Sequence, residues 1–293
     1  MGTISNVQLW IDDPQQNPET LFQLVEAEMN RIDQLMSPYK VNSEVSKINR
    51  LTKGESLTIS TELFYLLETA QKISILSDGA FDLTYASVGY KYNYREKEKP
   101  TNNEIQSLLP KINFQSIILE PTTKKISLLH NNIKIDLGGI AKGHAIKRCL
   151  DLLANNGLKH ALVSAGGDTA LLGDRKGRPW LVGIKHPRAD EKTVVHIPLE
   201  NEAISTSGDY ERYFIQDGIR YHHIINPKTG QSASEVVSVS IIGKDATYVD
   251  ALSTTVFVKG LSKGMQFIEK LPGYEAVVID NNYKLYFSSG LRQ

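Results

Sequence analysis

The sequence has a single cysteine, Cys149, among 293 residues. One thiol excludes an internal disulfide and any metal site built from several cysteines. Net charge is also lacking, since 33 Lys and Arg balance 33 Asp and Glu. With that balance, and no basic stripe interleaved with aromatics, the chain does not read as a nucleic-acid binder. No apolar run approaches the roughly 20 residues of a membrane span. Fixed-period repeats and low-complexity tracts are absent. At the start, Met1-Gly2-Thr3 leads into Val7-Gln8-Leu9-Trp10-Ile11, which alternates like a strand. No basic segment, apolar core and small-residue cleavage site precede it, and no lipobox cysteine stands there. The expectation is either a protein that stays inside the cell or numbering that begins after a removed export signal. What is present, 23% charged and 41% hydrophobic residues, suits a folded chain long enough to bury a core without disulfide or structural metal.

Helical spacing of apolar residues predicts a helix over Thr20 to Met36 and a second over Ser60 to Ser77, capped by Ser60. Lys91 to Asn102 is polar and reads as a loop, followed by a short helix to Leu109. The middle of the chain is strand-rich. Short apolar runs at Ser116–Glu120, Lys125–Leu129 and Ile133–Leu137 precede a helix over Ala141 to Ala154. Further strands are expected at Ala161–Ser164, Trp180–Lys185, Val194–Leu199, Ala203–Ser205 and Val236–Ile242. Arg212–Gln216 and Ile219–Ile225 read as a hairpin across Asp217-Gly218, and Ala276–Ile279 with Lys284–Phe287 as a closing one. Helices are expected over Ala246–Val258 and Leu261–Lys270. Because helices and strands do not alternate strictly, the fold class is α+β.

Five segments carry residue types suited to chemistry. In Ile135-Asp136-Leu137-Gly138-Gly139-Ile140-Ala141-Lys142-Gly143-His144 a strand passes through paired glycines into a helix, whose free N–H groups suit an anion, with Lys142 beside it. The bland alternative is a tight turn with a surface lysine. Asp250 and Thr254 lie four apart on a predicted helix and so share a face of hard oxygen donors suited to Mg²⁺, or simply a solvated face. In Tyr221-His222-His223 the adjacent histidines point to opposite sides of a strand, so at most one faces a given pocket; it can act as a general base, or both can be structural. Asp82, in Gly79-Ala80-Phe81-Asp82, can accept hydrogen bonds from a ligand, and Tyr39, in Ser37-Pro38-Tyr39, can stack on an aromatic ring. His130, His160, His186 and His196 have no catalytic company and read as structural.

Taken in order, these segments closely resemble the ApbE family of FAD:protein FMN transferases. The resemblance runs from Met1-Gly2-Thr3 through Ser37-Pro38-Tyr39, Gly79-Ala80-Phe81-Asp82, Asp136 to Gly143, Gly166-Gly167-Asp168 and Thr206-Ser207-Gly208-Asp209-Tyr210. It continues through His223-Ile224-Ile225-Asn226-Pro227 and Asp250-Ala251-Leu252-Ser253-Thr254, covering essentially the whole chain. It implies one α+β unit over residues 1–293, built on antiparallel sheets with packed helices and similar to the tunnelling fold, with the ligand in a cleft between two lobes. It implies splitting of FAD at its pyrophosphate, transfer of the FMN half to a Thr or Ser hydroxyl of an acceptor protein, and release of AMP. By position, Mg²⁺ would be held by Asp250, Thr254 and the carbonyl of Ala141. Flavin binding would fall to Met1, Tyr39, Ala80, Phe81, Asp82, Gly138 and His144. His223, and not His222, would be the base, with Asp250 as its catalytic companion on the metal. Acceptors of the family carry a short flavinylation motif, commonly in respiratory and redox membrane complexes. The resemblance also implies an exported protein, periplasmic or membrane-anchored in its full precursor, with the cytoplasm as the alternative.

Three departures from the family pattern stand out. Asn226 replaces an Asp after His223, yet an Asn keeps the turn hydrogen bond. His144 stands where Tyr or Phe is common. Ala86-Ser87-Val88 replaces the usual Gly-Pro-Leu after Thr84. Two other readings use the same residues: an FAD pyrophosphatase with water as acceptor, and a non-catalytic FAD-binding protein.

Overall fold

The computed structural model describes residues 3–292, apart from the side chains of Asp190 and Glu191; Met1 lies outside the described residues. In chain order the elements are β1 (Ser5–Trp10), α1 (Pro18–Met36), α2 (Glu44–Ile48), β2 (Ser56–Thr58), α3 (Thr61–Leu76), α4 (Ala86–Gly89) and α5 (Asn102–Leu108). Then follow β3 (Ile117–Glu120), β4 (Lys125–Leu128), α6 (Ala141–Asn155), β5 (His160–Ala165), β6 (Asp168–Leu172), β7 (Trp180–His186) and β8 (Ala189–Leu199). The last are β9 (Ala203–Gly208), β10 (Tyr213–Gln216), β11 (Ile219–His222), β12 (Val236–Gly243), α7 (Ala246–Ile268), β13 (Tyr274–Asp280) and β14 (Leu285–Phe287).

Local chemistry sets most helix starts. The Asn17 side chain accepts from the Glu19 N–H with Pro18 in the first helical position, and Ser60 caps α3 through the Leu63 N–H. Thr101 and Glu104 form a reciprocal capping box on α5, and Asp245 accepts from both Thr247 and Tyr248 N–H at the head of α7. Helix α6 differs, because no side chain of its own N-terminus caps it.

Seven strands make one antiparallel sheet in the order β1-β5-β6-β9-β12-β13-β14. Helix α7 packs on β9 and β12, α6 on β5 and β6, and α1 on α6. On that helix side Val163, Val239, Ile241, Ile146, Val249 and Phe257 belong to the main core. The opposite face carries a second apolar cluster, in which Val237, Ile242 and Ile204 meet Trp180, Ile197 and Leu199 of the β7–β8 ribbon. Strand β12 is therefore buried along its whole length, as its nearly continuous apolar run requires. The arrangement is α+β with antiparallel sheets, as the sequence suggests.

Several elements differ from the sequence reading. Ile133–Leu137 joins no strand ladder. Its backbone is extended but its partners are side chains and a turn: Asn49 accepts from the Ile135 N–H at 2.7 Å and donates to the Ile135 carbonyl at 3.0 Å. The Ser87 hydroxyl accepts from the Lys134 N–H, and the Leu83 carbonyl accepts from the Asp136 N–H. Strands β2 and β6 were not anticipated; β6 hides because its short run begins at Asp168, directly after two glycines. The two helices expected on either side of Gly260 do form, and α7 spans both across a kink where Gly260 takes φ 74° and Glu235 fills the space a Cβ would need.

Candidate active site

The Gly138–Gly143 turn and the first half of α7 meet at one point. A Cβ on Gly143 would lie 2.1 Å from the Ala246 carbonyl oxygen and 2.6 Å from the Asp250 Cβ, so only glycine lets α6 and α7 approach this closely. The contact replaces the missing cap. The Gly143 N–H donates to Asp250 Oδ2 at 2.9 Å, so a carboxylate from α7 sits on the positive end of α6. Thr254, one turn further along α7, has its hydroxyl 3.1 Å from where a Gly139 Cβ would be. The shared face expected for Asp250 and Thr254 is therefore real, and it is the face that borders the glycine turn. Ala141 is the first residue of α6.

Asp250 is 2% exposed and does not stand alone. Lys142 Nζ lies 2.6 Å from Asp168 Oδ2 and 3.2 Å from Asp250 Oδ1. One ammonium thus serves two buried carboxylates. Burial, and then the charge of Asp168, push the Asp250 carboxyl up to about 7. Although burial disfavours its charge, Lys142 is held above its ordinary range by Asp168 and Asp250. Instead of a surface lysine, the residue is the counter-ion of an acidic pair.

A chain of hydroxyls completes the cluster. Ser205 on β9 donates to Asp168 and lies 3.2 Å from the Ser253 hydroxyl. The Ser207 hydroxyl lies 2.8 Å from that of Ser253 and 3.3 Å from that of Thr254. Sequence reasoning assigned no role to Asp168, Ser205, Ser207 or Ser253. The available signal was the hydroxyl-rich strand Ser205-Thr206-Ser207 in register with Asp168, and register is invisible before pairing is known.

His222 and His223 part as expected. His222 is buried, its Nε2 2.6 Å from the Ala233 carbonyl, its Nδ1 accepting from the Ile224 N–H, and its ring edge-on to Phe257. His223 is half-buried, with Nδ1 3.4 Å from the Arg212 carbonyl. A carbonyl only accepts, so Nδ1 carries the proton and Nε2 keeps a free lone pair. Burial first, then the Arg212 charge, with smaller contributions from His222 and Lys142, lower the His223 imidazole to about 3. Asn226 keeps the turn: its Oδ1 accepts from the Lys228 N–H at 2.9 Å.

The other expected positions divide. Phe81 is buried, its ring 3.3 Å from where a Gly139 Cβ would sit, and Ala80 is buried next to it in sequence. The Asp82 carboxylate is committed inward, accepting from the Thr84 N–H and hydroxyl and from the Phe114 N–H; burial raises its pKa against those bonds. Gly138 donates its N–H to Asp136 at 2.6 Å, and Tyr90 donates to the other oxygen of the same carboxylate. Tyr39 is 78% exposed, and its phenol perturbs Tyr85, Tyr90 and Tyr94, whose own pKa values burial raises first. His144 is not gathered with this group. It bonds Glu62 of α3 at 2.9 Å, inside a charge network with Arg31, Glu28 and Arg148. Among the described residues no three His, Cys, Asp or Glu side chains are grouped to hold a metal, and no helix is long and apolar enough to cross a membrane.

The family model described as the ApbE family matches residues 1–278. This chain belongs to the ApbE family. Among ApbE relatives, the FAD:protein FMN transferase of Vibrio cholerae is 32% identical, covering 100% of this chain and 90% of its own. That of Klebsiella pneumoniae is 30% identical over 93% of this chain and 84% of its own. The crystal structure of the ApbE protein from Thermotoga maritima superposes with a TM-score of 0.89 at 33% identity, covering 98% of this chain and 97% of the other. The flavin transferase ApbE from Vibrio cholerae does so at 0.87 and 30%, covering 99% and 94%.

Proposed function

We propose that this ApbE chain is a Mg²⁺-dependent enzyme that moves the FMN half of FAD onto a Thr or Ser hydroxyl of an acceptor protein and releases AMP. The observation that carries the reading is the convergence of Asp250 and Thr254 on the Gly138–Gly143 turn, with Asp168 and Lys142 behind them. The activity borne in the names of its full-length relatives supports it.

The donor set fits a hard divalent cation. One carboxylate, one hydroxyl and the backbone of the turn are few ligands, which suits Mg²⁺ because it keeps waters and takes substrate phosphates as its remaining ligands. Two buried carboxylates over one ammonium also leave an excess negative charge for a cation to meet. Asp250, Thr254 and the Ala141 carbonyl would hold the ion, which supplies neutralisation of charge on the pyrophosphate.

The chain's own groups do the rest. His223 is neutral at physiological pH, and its Nε2 lone pair takes the proton of the acceptor hydroxyl. That oxygen bonds the FMN-side phosphorus as the bond from phosphorus to the AMP oxygen breaks, and AMP leaves with the electron pair. Phe81 and the exposed Tyr39 supply aromatic surface for the flavin. The same reading takes residues 1–293 as one functional unit, acting outside the cytoplasm on a motif-bearing subunit of a respiratory or redox membrane complex.

The test is transfer itself. Incubate the protein with FAD, Mg²⁺ and an acceptor domain bearing a flavinylation motif, and weigh the acceptor by intact mass spectrometry. An FMN-sized gain abolished by EDTA is expected. Free FMN and AMP with an unmodified acceptor would make the enzyme a hydrolase, and intact FAD throughout would make it a binding protein.

A further inference from the structure

Arg212 immediately precedes β10, and the hairpin register pairs Tyr213 with His222. One step outward, Arg212 faces His223 across the ladder: the His223 N–H donates to the Arg212 carbonyl at 3.1 Å. Directly opposed residues of an antiparallel pair project to the same face. The guanidinium of Arg212 therefore stands on the side of the hairpin that presents the imidazole.

That cation has no anion of its own. Arg212 is exposed, and among the described residues its guanidinium makes no ion pair and no hydrogen bond. The nearby carboxylate that would suit it, Asp209, is already taken. Arg188 holds both its oxygens at 2.6 Å, and Arg220 approaches one of them at 3.7 Å. The charge of Lys142, which also lowers the His223 imidazole, is offset by Asp168 and Asp250. Arg212 is thus the uncompensated cation beside the base, and the Tyr85 and Tyr94 phenols feel its field as well. A planar guanidinium matches two oxygens of a phosphate at once, which an ammonium cannot do.

We propose that Arg212 is a catalytic residue that binds phosphate oxygens of the FAD pyrophosphate beside His223 and stabilises the charge developed as the phosphorus–oxygen bond breaks. The proposal rests on the transferase reading for its chemistry but not for its binding geometry. Arginines that act in this way in phosphoryl transfer are worth about 10³- to 10⁵-fold in kcat.

The experiment uses the full chain with Arg212→Ala and Arg212→Lys, each checked by thermal melting. Binding of FAD and of riboflavin, which lacks phosphate, is read by flavin fluorescence in EDTA; transfer kcat and KM are read with Mg²⁺ and acceptor. Arg212→Ala is expected to weaken FAD while leaving riboflavin affinity within about twofold, and to lower kcat at saturating FAD by about 10³-fold. Arg212→Lys is expected to recover part of the FAD affinity and little of kcat, because one point charge replaces a two-pronged donor. Equal weakening of FAD and riboflavin would overturn the proposal and make Arg212 a support for the hairpin. Transfer within about threefold of wild type would overturn it as well. If the wild type transfers nothing yet binds FAD in an Arg212-dependent manner, the transferase reading fails and the phosphate ligand stands.

Discussion

If the proposed site holds Mg²⁺, its affinity for the ion should depend on pH through Asp250. Its carboxyl is pushed up to about 7 by burial and by Asp168, which shares the Lys142 ammonium with it. A metal ligand must be ionised, so protons compete with Mg²⁺ for this oxygen pair. With a pKa about 7, roughly 9% of Asp250 is ionised at pH 6 and roughly 91% at pH 8. The apparent Mg²⁺ dissociation constant should therefore rise about tenfold from pH 8 to pH 6. Folding follows the same linkage. An acid with a raised folded-state pKa contributes nothing below its ordinary value of 3.8; it increasingly disfavours the fold as pH rises, fully so above 7. Bound Mg²⁺ offsets that cost, so saturating Mg²⁺ should stabilise the protein by about 1.4 kcal/mol more at pH 8 than at a matched Mg²⁺ concentration at pH 6. Calorimetric Mg²⁺ titration at both pH values, with thermal melts, measures both quantities. His223, neutral above about 3, contributes no step in this window. Asp168→Asn removes the like charge and should flatten the profile. A change below about twofold between pH 6 and 8, or an unaltered profile in Asp168→Asn, would refute the argument.

The adjacent histidines should separate function from stability: His223→Ala is expected to lower transfer by about 10²- to 10⁴-fold with FAD affinity retained. His222→Ala instead strips the Ile224 N–H and Ala233 carbonyl of their partner and should cost about 2 kcal/mol in chemical denaturation. Gly143→Ala should force α6 from α7, with a loss of about 1–3 kcal/mol and weaker Mg²⁺ binding in calorimetry, because the new methyl collides with Asp250. Asn49→Ala leaves the Ile135 N–H without a partner while its carbonyl keeps the Tyr90 hydroxyl, and a loss of about 1–2 kcal/mol with slower transfer should appear in melts and assays; unchanged transfer would mean that the glycine turn does not depend on this anchor.

Helices and hairpins were legible because caps, turns and apolar spacing are local: Ser60 fixes the start of α3 and Asp217-Gly218 the β10–β11 turn. The Asp250–Thr254 face was legible for the same reason. Ile133–Leu137 misled because an apolar alternating run states that a backbone is extended and buried, not what it bonds to; here the bonds go to Asn49 and Ser87. Asp168, Ser205 and Ser207 escaped because their chemistry exists only through cross-strand register and the crossing of α7. The commitment of His144 to Glu62 likewise depends on a tertiary contact between side chains of α6 and α3, which no spacing rule encodes.

The placing of β1 at the sheet edge has a consequence for assembly. Its partner is β5, so Trp10 meets His160 across about 150 residues of intervening chain. During synthesis β1 emerges long before its ladder exists, whereas β13 and β14 follow one another directly along the chain. Such distant closure is slow relative to neighbouring hairpins. The acidic pair needs still later residues, since Asp168 at the head of β6 lies far upstream of α7 (Ala246–Ile268) in the chain. The acidic pair is thus incomplete until α7 has been made, and a nascent chain stalled before α7 would carry the glycine turn without the carboxylate that completes it.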